Sequence, residues 1–103
     1  MSEKALMDAI LVAVSKLPET MIWRNNSGLL YTKRGTPVRA SIPGAPDLIC
    51  IYKGRFVGIE VKDGRGKQEK TQKSFERACK KAGGIYILAR SIDEAVDCVL
   101  SIE

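Results

Sequence analysis

The chain has no histidine, and that absence removes three options together. An imidazole is the usual general base near neutral pH, a common zinc ligand and the middle member of a Ser-His-Asp triad. Cysteine is scarce and unpaired. Cys50, Cys79 and Cys98 stand alone inside apolar patterns, with no C-x-x-C spacing. They read as reduced core thiols of a cytoplasmic protein rather than a zinc site or a disulfide frame. No apolar run is long enough to cross a bilayer. The segment "SEKALMDAILVAVSKL" carries acids near its start and no cleavage-site pattern, so neither a membrane anchor nor a signal peptide is expected. Acidic residues are thin in one stretch. Between Lys53 and Lys81 ten Lys/Arg face four Asp/Glu, which carries the whole of the +5 net charge. Such a patch is the electrostatic footprint of a nucleic-acid partner, or else a solvated basic face that serves solubility.

What is present suits one small domain with a core of its own: 103 residues, 45% of them apolar. Leu6, Ile10, Ala13, Val14 and Leu17 repeat at the spacing of one helical face over 2–17. Ser2 can cap that helix, and Pro18 ends it. "TMIWR" has strand composition and "NNSG" reads as a turn. From Leu29 to Ile42 the pattern is interrupted by Gly35 and Pro37 and kept basic by Lys33, Arg34 and Arg39. A strand fragment, a loop and a second short strand are expected there. Asp47–Tyr52 and Arg55–Lys62 form two strands joined by Lys53-Gly54, a tight-hairpin signal. Gln68 to Ala82 reads as a helix with Thr71, Phe75, Ala78 and Ala82 inward and Gly83 ending it. "IYILA" is a buried strand, and Ser91 caps a last helix with Ala95, Val96 and Val99 inside. The order predicts an α/β fold, a mixed sheet with helices on both sides.

The hairpin carries three charges where strands usually exclude them. A two-residue turn at Lys53-Gly54 places Asp47 opposite Glu60, with β-carbons roughly 4.5–5.5 Å apart. Glu60 and Lys62 are two apart, so they share that face at a separation of roughly 7 Å. Two facing carboxylates repel unless a cation sits between them. Lys62 can be that cation in a purely structural patch. Alternatively, Asp47 and Glu60 hold Mg²⁺ or Mn²⁺, which prefer oxygen ligands, and Lys62 lies beside the water that attacks a phosphate. This second arrangement cleaves phosphodiesters without histidine.

"PD" followed on the next strand by "EVK" resembles the PD-(D/E)xK nuclease superfamily. The ordered set "WRNNSG", "GAPDLICIYKGRFVGIEVK", "DGRG", "KQEKTQKSF" and "AGGIYILARSIDEA" resembles its VRR-NUC branch across nearly the whole chain, in the small standalone form of phages and mobile elements. The first segment is also similar to archaeal junction resolvases. The resemblance implies a restriction-endonuclease-like core of αβββαβ type, forming a single nuclease domain over 1–103. It implies that Asp47, Glu60 and the Val61 carbonyl ligate the metal and that Lys62 orients or activates the water. Gln72 would support the lysine or the water, and Glu3 would reach the metal through water, with Asp8 a weaker match. Glu69 departs from the pattern, standing where many relatives carry a Ser or Thr cap.

Arg24, Asn26, Ser27, Lys33, Arg34 and Arg39, with Arg65, Lys67, Lys70 and Lys73, are candidate phosphate contacts. No module for reading bases is evident. That suits structure-selective cutting better than sequence-specific restriction, and the resemblance to small standalone phage and mobile-element enzymes implies branched DNA such as a four-way junction as substrate, with two symmetric incisions made by a homodimer. The expected compartment is the cytoplasm, that of the host if the chain is phage-encoded. The competing reading is a catalytically silent nucleic-acid-binding module that keeps only the basic face.

Overall fold

The computed structural model of the chain describes residues 1–26, 29–39 and 42–103, with the side chains of Leu29 and Arg39 outside the description. The first helix, α1, runs Glu3–Ser15 and begins where the Ser2 hydroxyl accepts the Ala5 N–H at 3.1 Å. Its buried residues, Leu6, Ile10 and Val14, recur every fourth position. The expected strands follow as β1 (Thr20–Arg24), β4 (Leu48–Tyr52), β5 (Arg55–Val61) and β6 (Ile85–Ala89). They form one mixed sheet in the order β1-β4-β5-β6, antiparallel except for the β5–β6 pair. Lys53 and Gly54 both adopt positive φ, 49° and 81°, the backbone of a type I′ hairpin turn. Tyr52 therefore pairs with Arg55 and Leu48 with Ile59.

Alternation along these strands sorts the residues onto two faces. Leu48, Cys50, Tyr52, Val57, Ile59, Val61, Ile87 and Ala89 pack with α1 and with Ala95 and Val99 of α3 (Ile92–Leu100) into one core. Ser91 caps α3 through the Glu94 N–H. Asp47, Ile49, Ile51, Phe56, Gly58, Glu60, Tyr86 and Leu88 belong to the opposite face, where α2 (Lys70–Lys81) lies against β6.

α2 is shorter than the pattern predicts and is turned differently. None of its side chains is fully buried, and Thr71, Ala78 and Ala82 are exposed. The half-buried stripe is Gln72, Phe75, Glu76 and Cys79 instead. Polar contacts explain the rotation. Gln72 reaches Glu60, Glu76 accepts from Gln68 at 3.0 Å, and Phe75 stacks at 6.4 Å on Tyr86. Sequence periodicity weighs apolar residues alone and misses such anchors. Gly83, at φ 90°, follows the helix end as expected.

The interrupted stretch after β1 holds a small two-stranded sheet, β2 (Leu29–Tyr31) with β3 (Pro37–Arg39), closed by a bend that places Gly35 at φ 82°. Leu30, Tyr31 and Val38 of this hairpin are exposed. The free thiols are Cys50, buried, and Cys79 and Cys98, half-buried. Among the described residues no helix is long and apolar enough to cross a membrane.

Candidate active site

Asp47 enters the sheet under tight backbone control. Gly44 in "PGAP" sits at φ 80°, and a β-carbon there would lie 2.1 Å from the Thr71 carbonyl oxygen, so only glycine lets this turn rest on α2. Pro46 is buried over Gly58, where an added β-carbon would come within 2.7 Å of the proline ring. Asn25 secures the same turn from β1. Its N–H donates to the Asp47 carbonyl at 2.9 Å, and its side-chain amide to the Pro46 carbonyl at 3.1 Å. With its backbone fixed, Asp47 turns a carboxylate oxygen, Oδ2, to the Val61 N–H at 2.8 Å, in the place of a ladder acceptor just before the start of β4.

Glu60, from the adjacent strand, is 2% exposed. Its Oε1 accepts from Gln72 Nε2 at 3.1 Å. Its Oε2 is buried with no hydrogen-bond partner in the structure. Burial pushes the Glu60 carboxyl up to about 9, helped by its contact with Asp47 and by that residue's charge; Lys62 opposes the shift and Glu3 adds to it. A carboxylate this deep must take up a proton, which it can donate to Asp47, or accept a cation. The orphaned oxygen beside a second carboxylate is the donor set a hard divalent ion takes. Among the described residues no three His, Cys, Asp or Glu side chains gather to hold a metal unaided. Two carboxylates completed by a backbone carbonyl and substrate oxygens still suit Mg²⁺, which commonly binds through one or two protein carboxylates.

Lys62 follows β5 on the Glu60 face and is 9% exposed. Its aliphatic stem packs on the turn at Gly66, where an added β-carbon would meet Lys62 Cδ at 3.3 Å. Gln72 is doubly engaged, because its Oε1 also accepts the Glu69 N–H at 2.8 Å. Glu69 is the N-cap residue of α2, and the Gln72 oxygen satisfies its backbone. The oxygen's commitment there turns the amide N–H toward Glu60. The helix start and the acidic pair are thus linked by one side chain.

Glu3 lies in the first turn of α1, near enough for its charge to act on Glu60. Asp8, the weaker match, is ion-paired with Arg24, so that arginine is occupied within the fold. Asn26 is exposed, as are Lys33 and Arg34 between β2 and β3. Ser27 lies outside the described residues, as does the side chain of Arg39. Arg65 and Lys67 are exposed on the loop after Lys62, and Lys70 and Lys73 on the first turns of α2. Two contributors escape sequence reasoning. Asn25 carries a faint signal inside "WRNN". Arg90 carries none: its Nη1 donates to the carbonyls of Asp63 at 2.9 Å and Gly66 at 2.7 Å, tying down the basic loop.

A mixed four-stranded sheet between helices, with PD leading into β4 and ExK closing the adjacent β5, is a restriction-endonuclease-like α/β core. The same fold is found in solved structures described as VRR-NUC domains. A solved structure described as "VRR_NUC domain" superposes with a TM-score of 0.69 at 19% identity, covering 98% of this chain and 97% of the other. A second, described as "VRR_NUC domain protein", gives 0.64 at 19% identity over 97% and 86%. No protein-family model and no curated protein matches the chain.

Proposed function

We propose that the chain is a metal-dependent DNA endonuclease whose residues 1–103 act as a single VRR-NUC-type nuclease domain. The observation that carries this is buried Glu60 beside half-buried Asp47, with one Glu60 oxygen without a partner and Lys62 on the same face. Asp47, Glu60 and the Val61 carbonyl would hold Mg²⁺ or Mn²⁺, with Glu3 in reach through water. When bound, such an ion polarises the phosphoryl oxygen and acidifies water. Lys62 orients the attacking water and offsets negative charge gathering on the phosphate. Gln72 keeps Glu60 aimed inward through its amide. Asn26, Lys33, Arg34, Arg65, Lys67, Lys70 and Lys73, with Ser27 and Arg39, would track phosphates, which supplies affinity without base readout.

The substrate is branched DNA, such as a four-way junction, cut by a homodimer in the cytoplasm, that of the host if the chain is phage-encoded. Exposed cations that would meet the phosphate backbone rather than base edges support structure over sequence as the basis of selection. A panel of linear duplex, single strand, flap, fork and four-way junction, each with Mg²⁺, Mn²⁺ or chelator, tests this. Cleavage should need metal, favour branched substrates, and vanish in Glu60→Ala and Lys62→Ala while circular dichroism stays unchanged. DNA retardation without cleavage, with equal Mn²⁺ titration heats for wild type and Asp47→Ala, would instead identify a silent binding module.

A further inference from the structure

The chain between β1 and β4 leaves the main sheet and returns to it at one point. Asn25 donates to the carbonyls of Asp47 at 2.9 Å and Pro46 at 3.1 Å, so both ends of the 26–45 segment are held beside the acidic pair. Within that segment the β2–β3 hairpin stands in solvent, with every residue from Leu30 to Val38 exposed. Its tip is braced all the same. The Thr32 N–H donates to the Thr36 carbonyl at 2.9 Å, the Gly35 N–H to the Thr32 carbonyl at 2.9 Å, and the Thr36 N–H to the Thr32 hydroxyl at 3.1 Å. Leu30 pairs with Val38 and Tyr31 with Pro37, so alternation gives each face of the hairpin one apolar pair. Leu30, Tyr31 and Val38 are 58%, 66% and 45% exposed. A two-stranded hairpin is marginal in water without a packed face, so apolar groups left open on both faces mark a contact still to be made.

We infer that this hairpin is a wedge for the branch point of DNA, its tip cations on phosphates and its two apolar pairs against the bases that end two duplex arms. Charge names a polyanion: Lys33 and Arg34 occupy the tip, and from Thr20 to Pro46 the sequence carries four Lys/Arg and no Asp/Glu. A second copy of the chain, at a net charge of +5, would bring like charge to that tip. The two apolar faces name the part of the polyanion. They call for a flat apolar surface on either side at once. Base-pair faces are such surfaces, and they come into reach where arms part, whereas a linear duplex hides them in its stack. Apolar side chains wedged between base steps are a known way to hold DNA unstacked, and stacking on an aromatic ring tolerates any base. A major groove also admits a two-stranded ribbon, but reading base edges there takes hydrogen-bonding side chains, which Leu30, Pro37 and Val38 lack. Because Asn25 fixes the root of the hairpin at Asp47, a branch point seated on the wedge lies at a set distance from the acids. The wedge deepens the proposed function and rests on it for the choice of branched DNA, but not on cleavage.

The test is made in chelator, where nothing is cut, by measuring dissociation constants for a four-way junction and for a linear duplex of the same arm sequence. Wild type should prefer the junction. Tyr31→Thr combined with Val38→Thr, and separately Leu30→Thr, keep strand propensity, so circular dichroism and Mn²⁺ titration heats should hold. In both variants the preference for the junction should fall roughly fivefold or more, the scale of one lost base stack. The salt slope should stay, because Lys33 and Arg34 are intact. Tyr31→Phe should keep the preference, and Val12→Thr on α1, 53% exposed, should change nothing. A 2-aminopurine at the branch point should brighten on binding wild type, as it leaves its stack, and not on binding the double variant. An unmoved preference overturns the inference, as does an equal loss of affinity for junction and duplex. Substitutions that shift sedimentation but not the preference would give the hairpin to a second copy and equally overturn it. Normal cleavage with an unmoved preference sinks the wedge alone. A wild type that never cuts, yet loses its junction preference in the variants, sinks the nuclease reading and leaves the wedge standing.

Discussion

One strand, β5, presents two chemistries on alternate residues. Val57, Ile59 and Val61 point into the core with α1 and α3, and all are fully buried. Phe56, Gly58, Glu60 and then Lys62 point to the other side, where a half-exposed ring, a backbone contact, a buried acid and a buried amine succeed one another. The core face is uniform because it does one thing, excluding water. The other face is heterogeneous because every residue on it meets something different. Substitutions on the two faces should therefore separate stability from activity.

The largest separation is expected between Glu60→Ala and Ile59→Ala. The first should lower metal-dependent cleavage by a factor on the order of 10³ or more, as loss of a central catalytic group does. The second removes most of a fully buried aliphatic side chain and should cost about 2–5 kcal/mol in denaturant unfolding, with kcat preserved in the folded fraction. Should Glu60→Ala unfold the protein while cleaving normally before it melts, the division of labour between the faces is wrong. Gln72→Ala should fall between these extremes, lowering kcat by roughly 10–100-fold, as loss of a ligand-orienting partner does. It should also destabilise α2 slightly, because the Glu69 N–H loses its acceptor. Gln72→Glu keeps that acceptor while placing a third carboxyl group by the pair, so a larger kcat loss with α2 intact assigns the effect to the site.

The pH dependence sharpens the contrast, since among the described residues the core face buries no carboxyl group; its buried thiol, Cys50, is pushed up to about 11 and stays neutral throughout. The Glu60 carboxyl group is raised from 4.5 to about 9 on folding, chiefly by burial. Between those values the unfolded chain has released a proton that the folded protein still holds. The stability this contributes is complete below the unfolded value and is lost as pH rises through the folded one. In chelator the melting temperature should drop over that window. Mn²⁺ should restore it, with greatest effect at the upper end, where less proton has to be displaced; at a hundredfold excess over Kd the ion adds about 2.7 kcal/mol. Glu60→Gln should flatten the chelator profile and remove the metal response. An unchanged slope in Glu60→Gln would mean that another group titrates.

The sequence carried the fold where apolar spacing was the whole story. Leu6, Ile10 and Val14 mark α1, and Lys53-Gly54 sets the hairpin register that brings Asp47 to the row of Glu60. It failed where polar contacts decide orientation. α2 is turned by Gln72 and Glu76, and no count of apolar positions predicts that Ala78 and Ala82 stay in solvent. Their exposure is also what leaves a crevice beside Phe56. The bonds made by Asn25 and Arg90 could not be read for a related reason. Each holds backbone carbonyls from a distant part of the chain, by 21 and 22 residues for the Asn25 bonds and 24 and 27 for the Arg90 bonds. A pattern read along the chain cannot see across such a loop.

The smallest predicted effect compares two basic regions, one before the acidic pair in the chain and one after it. Lys33 and Arg34 are exposed in the β2–β3 hairpin, and Arg65 and Lys67 in the loop that Arg90 ties down. If both sets meet phosphates, replacing any one residue by alanine should weaken DNA binding evenly across sequences and lower the slope of log K against log salt by about 1. The catalytic consequences should differ. The Arg65 loop packs on the Lys62 stem through Gly66, so movement there reaches the amine, whereas among the described residues the β2–β3 pair shows no comparable tie to it. Lys33→Ala and Arg34→Ala should therefore raise KM for junction DNA and leave kcat alone. Arg90→Ala, which frees the loop without deleting a loop cation, should change kcat more than the salt slope. A kcat unaffected by Arg90→Ala would mean that Lys62 keeps its position without the loop, held by its strand alone through the Lys62 N–H to the Ala89 carbonyl.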